Sequence, residues 1–326
     1  MKKKNSRSFY QHLSRRAALA GLAMGGVGLM AGTARAAKAP RIHSLDLDDP
    51  ADNCRALIKL QADLCGKEAM GGFPGTVWAW IPGEGNRLLF NTYGVGVSRV
   101  EWREDENAWR FYHREALLYL DPKSGDVLES WYNPWTERQV EVLHILNDHV
   151  NRLYSLAPGA RFTFPWPYEV NGDDIVLRIS VFRFEDNVMD PKLYPLHSQD
   201  AKYQTTELWG MIGSLSEVRN PDVTSAHCVT SWARISGWQP FMEMGNRPGQ
   251  TVYHSHSYKL MKGPAQIPQK VRGWLEKKAP EYLEAPKEWT PPSESIGVWN
   301  YSKRLIDERR AKGLAPGQTP FAWPRS

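Results

Sequence analysis

Residues 109–148 constrain the fold more than any other stretch, because they alternate like β-structure and break only at turn chemistry. Residues 109–120 are crowded with aromatic and branched side chains. Asp121-Pro122-Lys123-Ser124-Gly125-Asp126 has turn composition, and residues 127–133 read as the returning strand. Asn133-Pro134-Trp135-Thr136 then forms a structural corner, since proline has no N–H to give a ladder. Residues 139–146 resume the alternation as a third strand. The polar residues His113, Glu115, His144, Asn147 and Asp148 sit inside this aromatic sheet, and chemistry is expected there.

The remaining chain follows the same pattern. Strands are expected at 76–81, 87–95 and 98–103 before the central stretch, and at 162–169, 174–184, 204–214, 223–235 and 251–259 after it. Pro82-Gly83-Glu84-Gly85-Asn86 and Asn171-Gly172-Asp173 are turns. No helices alternate with these strands, which argues against parallel units. The expectation is a mainly β, antiparallel fold: a loosely lipocalin-like barrel or a strongly curled sheet. Residues 38–50 read as an extended lead-in. A helix is expected over 52–64, where Cys54, Leu57, Leu60 and Leu64 recur at helical spacing, and a short one over 147–156 with Asn147-Asp148 as its cap. After Gly263-Pro264, from about residue 265, the texture turns helical at 269–278 and 296–312.

The first 36 residues read as an address and stand apart from the fold. They hold Lys2, Lys3, Lys4, Arg7, Arg15, Arg16 and Arg35 and no acidic residue. Arg15-Arg16 precedes a small-residue apolar run, and Ala34-Arg35-Ala36 fits a processing site before Ala37. The segment resembles a bacterial twin-arginine export signal, which implies a periplasmic protein whose one partner in transit is the export machinery. The apolar run is shorter than the ~20 residues of a membrane span, so no stable anchor is expected after cleavage. Of 41 basic residues against 36 acidic, seven leave with the signal, so residues 37–326 carry 34 against 36. That balance gives no electrostatic case for nucleic acid. Those residues are expected to form a single domain.

Three cysteines, Cys54, Cys65 and Cys228, make no disulfide framework. A continuous helix would hold Cys54 and Cys65 about 16 Å apart, beyond the roughly 7 Å limit for a bridge, so three buried free thiols are expected.

Two segments carry a family likeness. One runs from Arg114-Glu115-Ala116 through Leu120-Asp121-Pro122 and Asn133-Pro134-Trp135-Thr136 to His144, Asn147 and Asp148. The other is Thr230-Ser231-Trp232-Ala233-Arg234-Ile235-Ser236-Gly237-Trp238, continuing to Met242, Met244-Gly245, Arg247-Pro248-Gly249, His254 and Lys259. Together they resemble the bacterial family known as domain of unknown function 1838. The resemblance supports the domain assignment and export, and brings no reaction with it.

Several side chains are candidates for function. His113 and Glu115 share a strand face, as residues two apart do, and a histidine beside a carboxylate can act as general base. The alternative is an ordinary polar pair on a solvated exterior. Arg114 should point to the opposite face. His113 and His144 are candidate base and acid, with Glu115 orienting. Arg234 between Trp232 and Trp238 is a candidate for holding an anionic group, or else a lid on a barrel end. Trp131 and Tyr203 join these as candidate walls of a binding site. His254 and His256 also share a face, and with His113 or His144 and Glu115 or Glu207 they would make a divalent-metal site. Fourteen Trp and thirteen Tyr imply either a bulky core or an aromatic-lined cavity.

Other chemistries lack their motifs. There is no GxSxG elbow, P-loop, dinucleotide fingerprint, HExxH or CxxCH, so no organic cofactor is expected. The first expectation is an enzyme acting on a bulky apolar or aromatic compound by acid–base chemistry, as a lyase, isomerase or hydrolase. The second is a non-catalytic carrier of an apolar ligand, and the third a metal hydrolase on His254 and His256. An enzyme should point a His or a carboxylate into its cavity, whereas a carrier should line it with carbon.

Overall fold

The computed structural model describes residues 44–292 and 297–314. In chain order the elements are α1 (Pro50–Gln61), β1 (Ala69–Trp80), β2 (Arg87–Arg103), β3 (Ala108–Leu120), β4 (Ser130–Asn133), β5 (Arg138–Glu141), β6 (Ile145–Asn147), β7 (Arg152–Ser155), β8 (Tyr168–Asn171), β9 (Asp174–Asp186), β10 (Lys202–Ser214), α2 (Leu215–Arg219), β11 (Cys228–Ser236), β12 (Gln250–Lys259), α3 (Gln269–Lys278) and α4 (Val298–Ala311). Every strand pairing described is antiparallel. Ten strands form one sheet in the order β6-β3-β2-β1-β12-β11-β10-β9-β8, with β7 also on β3. The sheet curls strongly: Trp109 and Tyr154 near one edge share a buried cluster with Ile175 and Leu177 near the other. Among the described residues no ladder joins the two edges, so the closed barrel is not formed.

α1 fills one end of the concave face. Asp49 caps it by accepting from the N–H groups of Ala51 and Asp52, and Pro50 takes the first turn, where a missing N–H costs nothing. Its apolar side, Cys54, Leu57, Ile58 and Leu60, packs on Phe111, Tyr154, Leu177 and Met211. Each such side chain contributes roughly 1.5–3 kcal/mol by leaving water. Two lysines, the buried Lys59 and the half-buried Lys259, tie down its last turn. Lys59 Nζ donates to the carbonyls of Val218 (2.8 Å) and Asn220 (2.7 Å). Lys259 Nζ, from β12, donates to the carbonyls of Lys59 (2.6 Å) and Ala62 (3.0 Å). Burial pushes both amines down to about 8.

The other end is closed by a second core containing Phe90, Tyr119, Trp238, Phe241, Met242, Tyr253 and Val298 of α4, in which the Tyr119 and Tyr253 hydroxyls meet at 2.8 Å. On the convex face α3 lays Val271, Trp274 and Leu275 over Val95, Val97, Ala116 and Leu118. Between the two end cores the concave face is left with a band of polar and half-buried side chains.

The helix expected at 269–278 matches α3. The one expected at 147–156 is instead the end of β6 followed by β7, and Asn147 and Asp148 are not caps: Asn147 lies in β6, while Asp148 pairs with Arg114. The second and third strands of the central stretch do not continue the main sheet. β4 and β5 pair only with each other; β6 returns to β3, and β7 beyond it does the same. Asn133 closes the turn between β4 and β5. Fully buried, its Oδ1 accepts from the N–H groups of Trp135 (2.9 Å) and Thr136 (3.3 Å), while Nδ2 donates to the Met242 carbonyl (2.6 Å). α1 stops at Gln61, and Cys65 beyond it is exposed rather than buried; all three cysteines are free. The export-signal reading of residues 1–36, and the lead-in as far as residue 43, lie outside the described residues.

Candidate functional site

Strand alternation settles which side chains face inward. In β3, Trp109, Phe111, Leu117 and Tyr119 belong to the two end cores, so His113 and Glu115 between them face the concave band. Arg114 points the other way, bonded to Asp148 (2.7 Å) and to the Glu281 carbonyl (2.7 Å). Room for the histidine comes from β2: a Cβ on Gly96 would stand 2.9 Å from His113 Cε1, and one on Gly94 would overlap the Phe73 ring.

His113 Nδ1 lies 3.1 Å from the Val97 carbonyl, which can only accept, so that nitrogen carries a proton. Nε2 is then the nitrogen able to exchange one, and it stands 3.6 Å from Glu115 Oε2. Asn147 Nδ2 donates to Glu115 Oε1 at 2.7 Å. Burial would raise the Glu115 pKa, but the His113 ring, the Asn147 amide and the Arg152 guanidinium outweigh it and hold the carboxyl at about 2. The pair is deep yet wetted, with side-chain exposures of 15% for His113 and 26% for Glu115.

Two further groups complete the band. Arg152 of β7 stands opposite Phe111 in the ladder, and its Nη1 reaches Gln61 Oε1 and the Tyr154 hydroxyl, each at 3.4 Å. Burial opposes its charge, and Tyr154, Glu115 and Glu207 together outweigh that. Because Glu115 is on β3 and Glu207 on β10, two walls of the curled sheet converge on this guanidinium. On the far wall Glu207 accepts from Trp232 Nε1 (3.4 Å) and lies 4.0 Å from Arg234 Nε, while Arg234 Nη2 donates to the Tyr203 hydroxyl (2.8 Å). Trp209 packs on Trp232, and Trp299 of α4 on Tyr203.

The structure therefore brings together His113 and Glu115, and separately Trp232, Arg234 and Tyr203, on facing parts of one concave surface. His144 is elsewhere: at the β3 edge its Nδ1 accepts from the Tyr119 N–H (3.1 Å), and its ring meets Trp274 edge-on. Burial lowers it to about 3, which suits a neutral packing group rather than an acid partner for His113. Trp131 and Trp238 belong to the end core beside Phe90 and Trp135, away from the band. His254 and His256 are exposed on the convex side, opposite Ala233 and Ser231, with ring centroids 5.0 Å apart. Glu115, Glu207 and His113 face the other way, so the ligand set proposed from sequence does not assemble. Among the described residues no three His, Cys, Asp or Glu side chains are placed to hold an ion.

Arg152, Gln61 and the inward role of Asn147 escape the sequence reading. Arg152-Leu153-Tyr154 does alternate inward and outward, but β7 spans four residues, too few for a period-two signal.

No curated protein matches the sequence. The family model that does match spans residues 66–306, from just before β1 into α4, and the chain belongs to the family described as Protein of unknown function (DUF1838).

Proposed function

We propose that this protein is an exported enzyme that acts on a bulky apolar or aromatic small molecule by acid–base chemistry, as a lyase, isomerase or hydrolase, without an organic cofactor. The observation that carries the reading is the His113–Glu115 pair facing the concave band between two sealed apolar cores. His113 Nε2 takes a proton from the substrate, and the ionised Glu115 stabilises the imidazolium that results. Val97 fixes the ring, so it, rather than Glu115, sets the orientation. Phe73, Trp209 and Trp232 form the apolar walls, while Tyr203 and Glu207 hold Arg234 in the far one. Positioned proton transfer of this kind is worth roughly 10²–10⁴-fold in rate.

The second reading is a carrier with lipocalin-like form, favoured by the curled sheet and its aromatic lining. One experiment separates them. The mature protein and His113→Ala are each incubated with a small-molecule extract of the source cells, and the mixtures are compared by mass spectrometry. Consumption of a component by the wild type alone supports the enzyme. Equal retention of an unchanged ligand by both proteins supports the carrier and overturns the enzyme.

Export is part of the proposal: residues 1–36 direct the chain to the periplasm through the twin-arginine machinery and are then removed. No helix among the described residues is long and apolar enough to cross a membrane. N-terminal sequencing of protein from the periplasmic fraction should begin at Ala37; a chain still carrying residues 1–36 would overturn it.

A further inference from the structure

We propose that the site takes an aromatic carboxylate, with the carboxylate on Arg152. This rests on the acid–base reading and adds its substrate class. Arg152 pairs across from Phe111, which makes it the diagonal same-face neighbour of His113, roughly 7–8 Å away along the ladder. That adjacency lets one compound place its anionic end on the guanidinium and present a nearby carbon to His113 Nε2.

The donors of Arg152 are underused. A guanidinium offers five N–H groups, and the hydrogen bonds found for this one both leave from Nη1 to neutral oxygens, Gln61 Oε1 and the Tyr154 hydroxyl, each at a long 3.4 Å. The carboxylates that feel its charge are committed elsewhere: Glu115 to His113 and Asn147, Glu207 to Trp232 and Arg234. Nε and Nη2 are left for a planar, bidentate acceptor. Those same two carboxylates set the charge the site tolerates, since a phosphate dianion would meet two like charges where a carboxylate brings only one of its own. The body of the ligand is aromatic because the guanidinium already lies over the Phe111 ring, centroid at 5.5 Å, and Phe73 and Trp209 are half-buried on the same concave surface. An additional polar contact is available from Ser255. Its side chain is 3% exposed, its hydroxyl has no hydrogen-bond partner among the described residues, and it stands opposite Trp232 and Gly75 on the concave face.

The test is a binding measurement that needs no turnover. 2-Naphthoate and its neutral isostere 2-naphthamide are titrated by calorimetry into the mature wild type, Arg152→Gln, Arg152→Lys and His113→Asn. The wild type should bind the carboxylate at least tenfold more tightly than the amide. The preference should shrink to within twofold in Arg152→Gln, survive in part in Arg152→Lys, which keeps the charge without the fork, and persist in His113→Asn. Equal binding of both probes by the wild type, no binding of either, or a preference undiminished in both Arg152 variants would overturn the proposal. A tenfold preference in a protein that turns nothing over would leave the carboxylate site standing and remove the acid–base reading.

Discussion

His113 and Gly96 are coupled across the β2–β3 ladder: the imidazole lies 3.6 Å from Glu115 only because the neighbouring strand has no Cβ beneath it. Gly96→Ala would place a methyl 2.9 Å from His113 Cε1 and push the ring off its carboxylate. On the acid–base reading, turnover is expected to fall by roughly 10–100-fold, part of the 10²–10⁴ that positioned proton transfer supplies. Stability should fall by about 1–3 kcal/mol, toward the lower end to the extent that the ring swings into the wetted band. Steady-state kinetics and urea melts on the variant read the two effects separately.

Glu115 gives stability a specific acid limb. Its carboxyl titrates at about 2 in the folded protein against an ordinary 4.5, so its contribution is fully present above pH 4.5 and is lost as pH falls through 2. Glu115→Gln keeps an acceptor for Asn147 but removes the charge facing His113 and Arg152. The variant should be less stable at pH 7 by on the order of 1–3 kcal/mol, and its urea midpoint should vary less between pH 5 and 2 than that of the wild type.

His144 acts over a different window. Its folded value of about 3 lies below the ordinary 6.5, so between those limits the unfolded chain takes up a proton that the folded one refuses. Stability is therefore lost as pH drops below 6.5, by roughly 1.4 kcal/mol per pH unit once below about 6. His144→Asn retains an acceptor for the Tyr119 N–H and abolishes this slope. Denaturation curves at pH 7, 6 and 5 should lie closer together for the variant than for the wild type, the remaining separation including that from His197, whose burial also lowers its pKa.

The three thiols differ in access. Cys54 and Cys228 are buried, and burial pushes the Cys54 thiol up to about 12 and raises that of Cys228, whereas Cys65 is exposed. A thiol reagent at pH 8 should modify Cys65 alone in the folded protein and all three in urea. Cys65→Ser should abolish the native reaction without moving the melting temperature by more than about 2 °C. Rapid native labelling of Cys54 would contradict the packing of α1.

The strands were legible where the period-two pattern ran long and ended in turn residues, as in β3, β10 and β12. Local pattern misled at residues 147–156, where Asn147-Asp148 looks like a cap and β7 is too short to show its alternation. The His113–Glu115 pair could be read from its spacing, but not its inward direction, because a register slip of one residue sends both side chains to the other face. That direction is set by pairing with β2 and by end cores drawn from strands distant in sequence. Arg152 was hidden for the same reason: its meaning comes from Phe111 and Glu207, neither of which is near it in the chain. His144 was misplaced because a histidine inside an aromatic strand reads alike whether it serves chemistry or fills a core.

Lys259 links this site to alkaline pH. Its ammonium clasps the carbonyls at the end of α1, and Gln61 in that same last turn contacts Arg152 and Tyr154. Near pH 8 the clasp gives up its proton and its bonds to those carbonyls cease to be charged. The turn beneath the His113–Glu115 pair is thus held less firmly in the same range where a catalytic base or acid would titrate. On the acid–base reading, an upper limb in an activity profile would record the mooring of a helix as much as the chemistry, and Lys259→Met, which has no proton to lose, would remove the part of that limb due to the clasp.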